Sequence, residues 1–119
     1  ILTIGENTTN NQIWLGDGIN STGGSLFRVY KNGANQAQLL MSSAGSYGKF
    51  AASYKKDDFA GYFNAGNFKT DSTGEIPYVY KAKIGSQTAQ EQGYLNGHIK
   101  KLSYYPQRLT NEQLQQLTK

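Results

Sequence analysis

The sequence predicts an all-β domain, an antiparallel sandwich or barrel, closed by one short C-terminal helix. Three observations predict it. Short apolar stretches recur at about the 8–12-residue spacing of such domains, each ending at turn residues. Within several of them apolar and polar residues alternate. Only the last stretch, "RLTNEQLQQLT", has helical spacing and a start signal.

The elements follow in order. "ILTI" ends at Gly5, and "NQIWL" ends at "GDG", where Asp17–Gly18 is a turn dipeptide. "SLFRVYK" runs into Asn32–Gly33 and then "NQAQLLMS". Asn-Gly between two apolar stretches marks a hairpin, because both central turn positions need positive φ. "GKFAASYK" meets Asp57–Asp58, read as a turn, and "FAGYFNAGNFKT" follows. After "DSTGEIP" come "YVYKAKIG", a polar loop at 86–92, and "GHIKKLSYY".

Alternation sets Ile13 and Leu15 against Gln12 and Trp14. It sets Phe27, Val29 and Lys31 against Leu26, Arg28 and Tyr30, and Tyr78, Tyr80 and Ala82 against Val79, Lys81 and Lys83. In "GHIKKLSYY", Ile99 and Leu102 are three apart, so a strand there needs a bulge at Lys100–Lys101 to return both to the core. Pro106 stops that strand. Thr110 is an N-cap, Gln113 completes a capping box, and Leu109 with Leu114 forms a hydrophobic staple. Leu114 and Leu117 share one face. A helix of about residues 110–118 is marginal alone, so the pattern predicts a docked lid.

"GYLNGHIKKLSYYPQRLTNEQLQQL" resembles the closing segment of laminin-G-like domains of the concanavalin-A-like lectin/glucanase superfamily. "KFAASYKKDDFAGYFNAG" is similar to that family's central strand pair, with a turn at Asn64–Ala65–Gly66 one residue longer, and "YKAKIG" matches its strand ending in Ile-Gly. The resemblance covers residues 48–119 well, and residues 1–47 by strand pattern only. It implies a jelly-roll sandwich. The variant "YYPQRLTNEQLQQLT" looks most like copies of this domain in bacteriophage tail fibres, tailspikes and other virion proteins, which implies a location on the virion. The 20 Asn and Gln residues suit an exposed polar surface.

With 119 residues the chain suits one domain, residues 1–119. It opens inside a strand without an initiator Met and reads as a fragment of a longer chain. Hydrophobic content is only 37%, but 9 Tyr, 5 Phe and 1 Trp bring large burial per residue. There is no Cys, so neither disulfides nor thiolate metal sites contribute. No apolar run approaches the ~20 residues of a membrane helix. The net charge of +4 is scattered, without the clustered stripe of a nucleic-acid binder.

Catalysis is not expected. The superfamily's glucanases use a paired-carboxylate strand motif, and none of the 8 acidic residues makes that spacing. His98 is the single His, with no Cys beside it to suggest a nucleophile. No cofactor is implied. The resemblance allows calcium at a loop edge, where Asp17 or Asp71 would contribute, although each also reads as a turn-shaping Asp.

Sugar binding fits the residues better. Lectin sites combine an aromatic platform with amide and charged groups that bond hydroxyls. Trp14, Arg28, Tyr30, Tyr54, Tyr62 and Asn64 supply that chemistry. If Ile13, Leu15, Phe27, Val29 and Phe63 face the core, then Trp14, Arg28, Tyr30, Tyr62 and Asn64 lie on outer faces. The expectation is a non-catalytic carbohydrate-binding domain of a phage fibre or spike, whose partners are bacterial surface glycans and other virion chains. Its alternative is a packing, trimerising or decorating module that binds no sugar; there a neighbouring subunit, or a covering loop, hides Trp14.

Overall fold

The structure, a computed structural model, describes residues 2–17, 24–41, 48–86 and 94–119. Two antiparallel sheets pack face to face. The larger has five strands: β1 (Leu2–Gly5), β2 (Gln12–Asp17), β3 (Ser25–Lys31), β4 (Ala34–Leu40) and β8 (Lys81–Ile84), in the order β4-β3-β2-β1-β8. The smaller contains β5 (Phe50–Lys55), β6 (Asp58–Phe63) and β7 (Asn67–Asp71), in chain order. One helix, α1 (Asn111–Leu117), follows.

Alternation places the core. Ile13, Phe27, Val29, Ala37 and Leu39 from the larger sheet meet Phe59 and Phe63 from the smaller, with Leu15 packed at the margin. Phe27 stacks on Tyr54 across the gap at 6.4 Å between ring centroids, so Tyr54, half-buried, packs against the core. The Asn32–Gly33 turn has φ of 53° and 78°, the doubly positive geometry its dipeptide predicts. One bulge sits where none was expected. Val29 pairs with Ala37 but Tyr30 with Asn35, which leaves Gln36 without a cross-strand partner. The Gln36 side chain instead accepts the Glu75 amide at 2.9 Å. Glu75 in turn bonds Lys56 at 2.8 Å and Lys31 at 3.4 Å, tying the two sheets together at one end.

The helix keeps its expected start. The Thr110 hydroxyl accepts the Gln113 amide, and the Gln113 side chain accepts the Thr110 amide. Leu114, 1% exposed, sits on Ala60 and Tyr62 at the outer face of the smaller sheet, with Leu109 alongside. The second docking residue is not Leu117, which is 44% exposed, but Thr118. Four residues return a helix nearer to the same face than three, and the Thr118 hydroxyl is satisfied there by the carbonyls of Leu114 and Gln115.

Three further expectations are corrected. The stretch 97–105 joins neither sheet, and its Ile99, Leu102 and Tyr104 stand in solvent. Alternation specifies a period but not a partner edge, and the chain bonds the smaller sheet just beyond this segment, where Arg108 meets Asp58 of β6 and the Leu109 amide meets the Ser53 hydroxyl of β5. In "YVYKAKIG" the ladder begins at Lys81, because Pro77 and the exposed Tyr78 and Tyr80 precede the pairing with β1. Asp58 lies in β6, where it pairs with Arg108 at 2.7 Å, so Lys56–Asp57 alone forms the turn.

Candidate functional site

The register of the larger sheet gathers three of the expected residues on its outer face. Trp14 of β2 lies directly opposite Arg28 of β3, and Gln12 opposite Tyr30. Reading across all five strands, one outward row runs Lys83, Thr3, Trp14, Arg28, Gln38. Directly opposed side chains in such rows stand about 5 Å apart, and Gln12 is about 7 Å along the strand from Trp14.

This face has a covered part and an open part. Thr3, Trp14 and Leu26 are buried, whereas Arg28 and Tyr30 are half-buried and Gln38 is exposed. The Thr3 hydroxyl donates to the Ser86 carbonyl at 3.2 Å, which brings the chain leaving β8 onto the covered part. Trp14 is 2% exposed, so the expectation of an exposed indole platform is corrected: Trp14 is the floor of this face. The open rim is formed by Arg28 and Tyr30, with the guanidinium carbon 5.6 Å from the ring centroid.

Among the described residues, three buried polar atoms on this face have no hydrogen-bond partner: the Trp14 Nε1–H and Arg28 Nε–H donors, and the Gln12 Oε1 acceptor. Each such atom costs on the order of 1–3 kcal/mol in lost hydration. The three belong to neighbouring positions of the β2–β3 pair, two donors and one acceptor. Gln12 entered the sequence reading only as an outward neighbour of Trp14. That shared parity was the signal for its place on this face.

The other two expected residues lie elsewhere. Tyr62 points outward from the smaller sheet, on the opposite side of the sandwich, where α1 buries it and Phe68 stacks on it at 5.1 Å. Asn64 sits in the β6–β7 turn with φ of 47°, and its side chain accepts the Lys49 amide at 2.9 Å. Both have structural work, and neither shares a surface with Trp14. One outward alternation describes two different outer faces, and the sequence does not say which strands share a sheet.

Asp71 shapes its turn by accepting the amide and hydroxyl of Thr73, both at 3.0 Å. The Asp17 side chain lies outside the described residues. Among the described residues, no three His, Asp or Glu side chains come together as a metal-ligand set. His98 is exposed. Comparisons with models of known families, with curated proteins and with solved structures found no match.

Proposed function

We propose that this chain is a non-catalytic carbohydrate-binding domain of the laminin-G-like, jelly-roll class, carried on a bacteriophage fibre or spike and directed at glycans of the bacterial surface. The two-sheet sandwich and the capped closing helix are compatible with that class. The phage setting rests on the resemblance of residues 104–118. One observation carries the binding reading: two donors and one acceptor, buried without partners, lie beside the half-open Arg28–Tyr30 rim. The half-buried Arg28 guanidinium and Tyr30 ring offer a saccharide at this rim a charged donor and an aromatic face.

A second reading, a packing module of the virion, is supported by a different observation. Tyr94, Ile99, Leu102, Tyr104 and Tyr105 form an exposed, largely apolar segment of the kind that a neighbouring chain covers. A glycan array probed with the isolated domain, beside light scattering, separates the two. Saccharide binding by a monomer supports the first reading. A stable oligomer that binds no glycan supports the second.

A further inference from the structure

Among the described residues, the ladder positions on the outer face of the larger sheet carry charge of one sign. Its outward ladder residues include Lys81, Lys83 and Arg28, and none of those described is a carboxylate. Lys81 donates to Asn7 Oδ1 at 2.9 Å, a neutral partner. The chain's two arginines differ in the same sense. Arg108 pairs with Asp58 at 2.7 Å and also donates to Asn111. Arg28 has no ion-pair partner among the described residues and rests on the Tyr30 ring instead. A half-buried guanidinium loses part of its hydration, and an anion that pairs with it offsets that cost.

We propose that this face selects acidic saccharides, with Arg28 taking the sugar's carboxylate in an end-on fork made by its two terminal Nη–H groups. The inference rests on the carbohydrate-binding reading above and narrows its ligand class. Gln12 and Gln38 border the position and have the amide groups to bond flanking hydroxyls. Lys83 lies in the same row, three strand spacings or about 14 Å away. That exceeds the screening length at physiological salt, so Lys83 attracts an acidic polymer at low ionic strength without selecting its register.

The test is a glycan array containing acidic and neutral members. It is followed by titration of the best acidic hit against its carboxyl-reduced counterpart, at low and physiological salt, with wild type, Arg28→Gln and Arg28→Lys. The expected result is binding confined to acidic glycans and weakened at least about tenfold by carboxyl reduction or by Arg28→Gln. Arg28→Lys, which keeps charge but not the fork, falls between. Equal binding of the acidic and reduced forms overturns the acid selectivity while leaving carbohydrate binding intact. Binding to no glycan overturns both. Oligothymidylate binding as tight as the glycan replaces the proposal with a general polyanion surface. Carboxyl reduction and salt act on the native protein, so the outcome stands even if a variant fails to fold.

Discussion

Trp14 and Arg28 lie directly opposite each other on β2 and β3, and each holds a buried nitrogen without a hydrogen-bond partner. Packing explains why Trp14 is there, since a ring this large buries much apolar area. It does not explain the indole N–H. Trp14→Ala is expected to cost about 3–5 kcal/mol through the cavity it leaves. Trp14→Phe removes the unsatisfied donor and is expected to cost far less. Denaturant unfolding of both checks this, and equal losses would mean that the N–H has a partner in solution.

The single Trp also makes the face visible. Its fluorescence is expected to be that of a buried indole, poorly quenched by acrylamide, and to shift when a bound glycan alters the Trp14–Arg28 pair. Emission that ignores a saturating glycan would separate the binding site from this face.

The lid makes a paired prediction. Leu114→Asp places an unpaired charge against Ala60 and Tyr62 and is expected to destabilise by about 2–4 kcal/mol. Leu117→Asp, at a half-exposed position, is expected to stay within about 0.5 kcal/mol. Thermal melts of the two proteins decide it, and the reverse order would mean that α1 docks on its other side.

Arg108 links the lid's entry to β6 by bonding Asp58, Asn111 and the Leu109 carbonyl. Its side chain is mostly buried, while that of Asp58 is half-exposed, so water screens part of the pair. Asp58→Asn is expected to cost about 1 kcal/mol, in the range of a partly screened charged hydrogen bond. Urea midpoints compared at constant slope measure it.

Acid sensitivity follows from Glu75. Hydrogen bonding to Lys56, and next to Lys31, holds its carboxyl below the ordinary value of 4.5. A lowered native value means stability that is present above 4.5 and is lost as pH falls below it through the native value. Glu75→Gln should therefore lower the melting temperature at neutral pH. The difference should shrink below about pH 4 and with added salt. A difference that does not change between pH 7 and pH 3 would show that the ion pairs contribute nothing.

What the sequence disclosed was local. Thr110 and Gln113 are three residues apart, and Asn32 and Gly33 are adjacent, so the cap and the hairpin were readable from spacing alone. The opposition of Ile13 and Phe27 to Trp14 and Arg28 was equally legible, because period two fixes a face. Long-range partnership was not. Tyr62 reads outward as Trp14 does, yet α1, some 50 residues later, buries it. "GHIKKLSYY" has a strand's composition without a ladder, because a strand also requires an edge that its own residues do not encode. Gln12 needed the register before its orphaned oxygen met Trp14 and Arg28.

The lid also holds a loop. Ala65, a non-glycine residue at φ of 57°, donates its amide to the Thr118 hydroxyl, and its carbonyl accepts from the Gln115 side chain. Both backbone groups of that residue are therefore satisfied by α1 and its C-cap. Hydrogen exchange at the Ala65 amide then measures helix undocking directly, while exchange at the Phe59 and Gly61 amides in the middle of β6 requires the sheet itself to open. The ratio of the two rates gives the free energy that separates a loosened lid from a lost fold.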